Sequence, residues 1–505
     1  MQRNPEPARL GLSWTRLEVR LIIKHELDID IPHLEDQFIG GEWMGAGDRP
    51  MRPVVSPSSE DILAFAALPT IKDADRAANQ AKIAFDEGPW RSMSIEERAE
   101  KVERLCFAIE GKLATLNKAW SYESGATIKH AELLNNEVGG AVWRQMILDA
   151  KSIQWEEERG GALLLREPIG SVLAIMTFNG PVVLMAMKVV PALLAGCTVI
   201  AKHAPESPLT ARLVAECARE ANLPEGVLSF IPGDAEITKY LVGHEAIDMV
   251  TLTGGTQHGV DVVKRTANRL ARTTLELGGK SAAIIGGDCD QNDVLDSLIP
   301  GSSSFMGQVC VNLSRILLPK ASYGKWIEAL KNRYDAIQLG DPLKYDTEQG
   351  PISVKRGLER TESYVALAQS EGAELAAGGC VPREFEKGWW YRPTLLSKVN
   401  NSMAIAREEI FGPVVVAIPY GDINEAVRIA NDSPFGLAAS VYMSDEDLAL
   451  SVAKRLQSGS VAINSAGISF LHPFGGYKQS GWGKECGLEG IMEFTQIKQV
   501  SGRRI

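Results

Sequence analysis

Residues 170–202 read GSVLAIMTFNGPVVLMAMKVVPALLAGCTVIAK. Two short continuous apolar runs, Gly170–Met176 and Cys197–Ala201, flank a segment of helical length, and the theme repeats in Gly226–Ile231 and Met249–Thr253 after further helical stretches. A strand buried on both faces reads as an unbroken apolar run, whereas a half-exposed strand alternates. Strand alternating with helix therefore predicts an α/β chain whose parallel sheet is covered on both sides.

Such sheets bind ligands outside the carboxyl ends of their strands. Three loops fall there: TFNGP at 177–181, KHAPE at 202–206 and GGTQHG at 254–259. The Gly254–Gly259 loop runs from a strand into a helix and offers backbone N–H groups to a pyrophosphate, although a glycine pair in a turn is also ordinary structure. A second strand-and-helix cluster, roughly 280–480, opens with LELGGK at 275–280, where Gly278 and Gly279 read as a breaker between lobes. Glu276, between two leucines, is either a carboxylate tuned toward neutrality as a general base or one salt-bridged at a strand end. Residues 301–315, GSSSFMGQVCVNLSR, set one thiol, Cys310, in a small, apolar setting. A lone cysteine there is more often inert than nucleophilic, so its partners decide. PFGGYKQSG at 473–481 is a glycine-rich loop, and Phe494–Val500 alternates as a strand of the kind that pairs with another subunit.

Working toward the N-terminus, Asp36–Trp43 alternates like a hairpin. Ile71–Glu87 and Ser94–Leu116 repeat apolar residues at helical spacing, with Ser94 and Glu97 placed as a capping box. Residues 1–35 read as a leading extension with an amphipathic stretch at Trp14–Lys24. At 505 residues the chain exceeds one core, so two or three lobes are expected. A net charge of −11 argues against nucleic acid as a partner. Seven scattered cysteines without CxxC fit neither a disulfide framework nor a metal site. The first 35 residues mix Glu6, Glu18, Glu26, Asp28 and Asp30 with the arginines, and Lys188 and Pro191 interrupt the longest apolar run, so neither a secretory h-region nor a membrane span is expected; a cytoplasmic protein is.

The ordered motifs TFNGP (177–181), PALLAGCTVIAK (191–202), SPLTA (207–211), LPEGVLSFIPG (223–233), TLTGGTQHG (251–259), LELGGKS (275–281), GQVC (307–310), EEIFGPV (408–414), SPFGLAAS (433–440) and PFGGYKQSGWGKE (473–485) resemble the aldehyde dehydrogenase superfamily from about Gln37 to Val500. The 34-residue step from Glu276 to Cys310 is the family's own. The resemblance implies a Rossmann-type cofactor domain (36–145 and 168–278), an α/β catalytic domain (279–489), and a small β oligomerisation flap (146–167 and 490–505) that builds a homodimer or homotetramer.

It also implies roles. Cys310 would attack the aldehyde carbonyl, and the Asn179 side chain beside the Cys310 N–H would hold the oxyanion. Lys188 would support that asparagine, and Glu276 would activate water to release the acid. NAD, with NADP possible, would meet Phe178, Lys202, Gly254, Gly255, Thr256, Gly259, Leu277, Glu409 and Phe411. Two departures stand out: Pro205 occupies the position of the ribose-binding acid, displaced here to Glu206, and Gly255 replaces a serine. No metal is expected. The substrate pocket would be lined by Gly180, Val183, Leu184, Met187, Val309, Val311, Ile468 and Phe470, which suits a medium or large apolar aldehyde, aromatic or terpenoid-like. A semialdehyde or CoA-acylating enzyme is the alternative, and a non-catalytic scaffold a remote one.

Overall fold

The computed structural model describes residues 27–45, 47 and 49–502, so the amphipathic stretch at 14–24 lies outside the described residues. The expected hairpin forms from strands Gln37–Ile39 and Glu42–Met44. Its two-residue turn, Gly40-Gly41, has φ of 64° and 101°, the left-handed conformation that a tight hairpin turn requires.

The first sheet has eight strands. Five parallel ones form its centre, in the spatial order Leu228–Phe230, Thr198–Lys202, Ser171–Ile175, Met249–Thr253 and Arg272–Glu276. The N-terminal hairpin extends one edge and Gly481–Trp482 closes the other, both antiparallel. The apolar runs at 171–175 and 198–202 are buried at every position, as a sheet covered on both faces demands. Between them, helix Pro181–Ala195 is also buried all round, which is why its sequence carries no polar face beyond Lys188.

The second sheet has seven strands, in the order Glu374–Ala377, Thr394–Ser397, Val414–Tyr420, Arg315–Pro319, Ala282–Ile285, Ala438–Tyr442 and Ser460–Ile463; only the first is antiparallel to its neighbour. A third, three-stranded sheet joins Glu156–Arg159, Ala162–Pro168 and the last strand, Thr495–Ser501.

Several boundaries differ from the sequence reading. The flap hairpin begins at Glu156, because residues 146–152 complete helix Gly140–Ser152 and bury Met146, Ile147 and Ala150. The expected helix 94–116 is two helices, Ile95–Glu110 and Leu113–Ser124, broken at Gly111. Its capping box is present: the Glu97 N–H donates to Ser94 Oγ at 3.2 Å and the Ser94 N–H to the Glu97 carboxylate at 2.8 Å. Most consequentially, the glycine-rich segment around 481 belongs to the first sheet and not to the second unit. A Cβ on Gly481 would lie 1.8 Å from the Leu275 carbonyl oxygen, so only glycine lets this strand seat against Leu275 and Glu276.

Candidate active site

Gly279 in the connector between the two sheets, Cys310, Glu409 and Phe411 line one cleft, and Glu276 at the end of its strand acts on the same thiol. Helix Gln291–Ser303 ends in a run where Phe305, Met306 and Gly307 all adopt left-handed conformations, with φ of 46°, 55° and 66°. For residues with a side chain this costs about 1–2 kcal/mol each, so the surroundings must hold it. Gly307 packs so closely on the next loop that a Cβ would lie 2.1 Å from the Gly412 carbonyl oxygen. Beyond it Cys310 sits half-buried, and burial, followed by the charges of Glu409 and Glu276, pushes its thiol up to about 12.

Asn179 faces this loop from the end of the first sheet. Its side-chain oxygen accepts from Thr177 Oγ1 at 2.5 Å and its Nδ2 donates to the Gln308 carbonyl at 3.0 Å. Those two bonds fix which way the amide points and leave its second N–H for a ligand beside Cys310.

Glu276 ends the strand Arg272–Glu276, is 3% exposed, and neither carboxylate oxygen has a hydrogen-bond partner in the described residues. Gly475 lies against it: a Cβ there would be 2.7 Å from Oε1. Burial, and then the carboxylate of Glu485, hold Glu276 well above the usual carboxylate range, opposed by the charge of Lys188. Lys188 forms a buried ion pair with Glu485 and donates to Thr251 Oγ1 at 3.2 Å. Lys188, expected to support Asn179, has Glu485 and Thr251 as its hydrogen-bonded partners, and its charge also acts on Glu276.

The adjacent glycines have jobs beyond breaking a strand. A Cβ on Gly279 would lie 2.5 Å from the Cys310 carbonyl oxygen, and one on Gly278 would lie 2.3 Å from Glu409 Oε2. Glu409 accepts from the Gly279 N–H at 3.0 Å through its other oxygen, and burial raises it to about 7. Phe411 stands edge-on to Phe178, ring centres 6.2 Å apart. These residues, expected near a nicotinamide, share one wall of the cleft.

At the end of its strand, Lys202 is buried and its ammonium makes no hydrogen bond or ion pair among the described residues; burial lowers it to about 8. Glu206 turns to Arg356 at 2.9 Å and Arg52 at 3.9 Å, while Pro205 contributes no polar group. Gly254 and Gly255 lead into helix Thr256–Thr266, with Gly255 at its N-cap. Gly259 follows in the same helix: a Cβ would lie 2.7 Å from Leu277 Cδ1, so this glycine admits Leu277 against the helix.

The proposed pocket residues Val183, Leu184 and Met187 are buried on one helix, and Val311, Ile468 and Phe470 pack with Cys310 on the same core. Val309 packs with Phe178 on a neighbouring aromatic cluster. The space over Gly180 is narrower than its missing side chain suggests, because a Cβ there would meet Val183 Cγ1 at 2.8 Å and Leu134 Cδ2 at 3.7 Å. Leu134 escaped the sequence reading because it falls in a π-helical stretch, Leu133–Gly139, where the 3.6-residue spacing fails. Glu485 and Thr177 were also missed; each matters through a contact that spacing does not reveal.

The chain's residues 43–500 match the family model described as "Aldehyde dehydrogenase family". Among curated relatives, a geranial dehydrogenase of Castellaniella defragrans is 35% identical over 94% of this chain and 99% of its own length. A 3-succinoylsemialdehyde-pyridine dehydrogenase of a Pseudomonas species is 37% identical over 92% and 98%. Among solved structures, an aldehyde dehydrogenase of Mycobacterium tuberculosis complexed with NAD+ superposes with a TM-score of 0.91 at 37% identity, covering 93% of this chain and 98% of that one. A betaine aldehyde dehydrogenase of Staphylococcus aureus in complex with NAD+ gives 0.90 at 32% identity, over 92% and 94%.

Proposed function

The chain belongs to the aldehyde dehydrogenase family and is an NAD(P)-dependent aldehyde dehydrogenase, and from that premise we propose that Cys310, Asn179 and Glu276 convert a medium or large apolar aldehyde to its carboxylic acid. The observation that carries this reading is Glu276: a buried carboxylate with both oxygens unsatisfied, electrostatically coupled to the only cysteine that its surroundings leave beside an oriented amide donor among the described residues.

The chemistry follows from these groups. A carboxylate raised by burial is a stronger base than one in water, so Glu276 takes the proton that the Cys310 thiol, itself raised, does not surrender to solvent. The thiolate adds to the aldehyde carbonyl, and the oxygen that becomes negative meets the free Asn179 N–H and the Cys310 backbone N–H. Loss of one such donor typically costs about 3–4 kcal/mol in the barrier. The bound nicotinamide supplies a hydride acceptor, which leaves a thioester on Cys310. Once Glu276 has passed that first proton to solvent, it deprotonates the water that attacks the thioester; the tetrahedral adduct collapses, the carbon–sulfur bond breaks, the acid departs, and the Cys310 sulfur takes the proton back from Glu276.

The cleft fits NAD. Lys202 is a buried cation with unused donors at the sheet's carboxyl end, where ribose hydroxyls need them, and Glu409 keeps one oxygen free beside Gly278. Glu206 is engaged by two arginines, which weakens the repulsion an unpaired acid there would exert on a 2′-phosphate; NADP use is therefore part of the proposal. The apolar lining and the geranial dehydrogenase relative favour a terpenoid or aromatic aldehyde. The relative named for a pyridine-bearing semialdehyde supports a second reading. The flap's last strand, an edge strand exposed beyond Thr495, supports a homodimer or homotetramer.

Reduced-cofactor formation with NAD and NADP, against geranial, benzaldehyde and succinic semialdehyde without CoA, tests the reading. Turnover of the first two supports it; saturation by the semialdehyde alone transfers the substrate to the second reading. Cys310→Ala is expected to abolish oxidation and keep cofactor binding, whereas Glu276→Gln is expected to release one stoichiometric burst and then stall. A Glu276 variant that turns over normally removes the base from the scheme.

A further inference from the structure

Gln349 lies outside every motif that marked the site, yet it holds the backbone behind the nucleophile. Its side-chain oxygen accepts the Met306 N–H at 3.0 Å, in the middle of the left-handed run at 305–307. The Gln349 backbone is anchored separately: its N–H donates to the Gln338 carbonyl at 3.1 Å, and its carbonyl accepts the Gly340 N–H at 3.2 Å. The side chain therefore reaches out from a fixed strut. Gln308 adds a second brace, donating to the Phe305 carbonyl at 3.1 Å and accepting the Ser353 N–H at 3.1 Å from the same 349–353 segment.

We propose that Gln349 is a positioning residue for the first chemical step, holding the run at 305–307 so that the Gln308 carbonyl and the Cys310 N–H point where the two oxyanion donors are needed. The path is short. Met306, held by Gln349, precedes Gly307 and Gln308, and the Gln308 carbonyl is the acceptor that orients Asn179 at 3.0 Å. A buried amide N–H that loses its acceptor seeks another or drives the backbone out of the left-handed region. Either change re-aims the Gln308 carbonyl, and with it both donors at once.

This rests on Cys310 as nucleophile and Asn179 as oxyanion donor, so the test uses a probe that needs those two and neither aldehyde nor cofactor. 4-Nitrophenyl acetate acylates a thiolate: the sulfur attacks the ester carbonyl, the carbon–oxygen bond breaks, nitrophenolate leaves, and acetyl remains on Cys310 as a thioester. In full-length enzyme, Gln349→Met is expected to slow the nitrophenolate burst roughly 10- to 100-fold, the scale of an ångström-level misplacement. Alkylation of Cys310 by iodoacetamide, which needs no oxyanion donor, is expected to proceed at least as fast as in the wild type. In an Asn179→Ala background the same substitution should cost clearly less than in the wild type, because one of the two donors it aims is already gone. Gln349→Glu, which keeps a side-chain oxygen acceptor, should recover most of the burst. An unchanged burst in Gln349→Met, full additivity with Asn179→Ala, or alkylation slowed in parallel would each overturn the proposal. If Gln349→Met fails to fold, Gln349→Ala carries the same expectations. A wild type that acylates with the ester but oxidises no aldehyde would refute the proposed function and leave this inference standing.

Discussion

At the scale of single residues, the acid–base character of the site is set by three buried charges. Glu276 is raised by burial and by Glu485, and lowered by Lys188. A base must be ionised to act, so deacylation is expected to fall as pH drops, with its acid limb lying well above the ordinary carboxylate value of about 4.3. The neighbours then shift this limb in opposite directions. Glu485→Gln removes a raising charge and should move the acid limb of deacylation to lower pH. Lys188→Met removes the lowering charge and leaves Glu485 buried without its partner, so the limb should move to higher pH, with a loss of stability of about 3–5 kcal/mol. Single-turnover thioester hydrolysis across pH reads both shifts; movement of both limbs in the same direction would refute the assignment. Cys310, Asn179 and Glu276 could be named from the sequence as candidates only through the resemblance of their motifs to the family's, and the fold sets Asn179 and Glu276 near the Cys310 loop. Lys188 was legible as a charge but not as a partner, since Glu485 lies 297 residues further along the chain and only the fold brings the two together.

At the scale of elements, the connector between the two sheets makes the sharpest prediction. Gly278 and Gly279 are adjacent, yet their missing side chains admit different groups: Glu409 in one case and the Cys310 carbonyl in the other. Gly279→Ala therefore pushes on the nucleophile loop, and acylation should slow by roughly 100-fold while cofactor affinity changes little. Gly278→Ala displaces the Glu409 carboxylate and should instead weaken cofactor binding, measured by quenching of tryptophan fluorescence on titration with NAD. Identical phenotypes for the two would show that the connector acts only as a hinge. The sequence marked this pair as a break between lobes, which is right about topology and silent about contact. The same division runs through the elements at large. Buried strands announce themselves as apolar runs, and the Ser94 cap by its spacing. The break at Gly111, the helical start of the segment at 146, and the π-helical stretch carrying Leu134 depend on what each turn packs against, and local spacing does not encode that.

At the scale of the whole molecule, the three-stranded flap is the element least accounted for within one chain. Two stacked or covered faces stabilise a small sheet, and an isolated one of three strands needs an apolar face that is buried. Here the last strand, Thr495–Ser501, is an edge strand exposed at every position after Thr495, with Ile497 60% exposed and Val500 37%. An exposed edge with apolar side chains is a template for pairing with another chain, and a second copy of this chain is the partner that the expected homo-oligomer supplies. The active site sits close behind: the helix Gly487–Met492 that leads into this strand follows directly on Glu485, and Phe494 beneath the strand is buried in the same core as Met187 and Val183. Loss of the partner should therefore reach the base as well as the assembly. Ile497→Asp is expected to shift the sedimentation coefficient toward that of a monomer of 54.8 kDa, and to lower the melting temperature. Deacylation should slow more than acylation, because Glu485 tunes the step that Glu276 performs. A variant that remains assembled, or a monomer with unaltered deacylation, would detach the flap from the site and leave it with assembly alone.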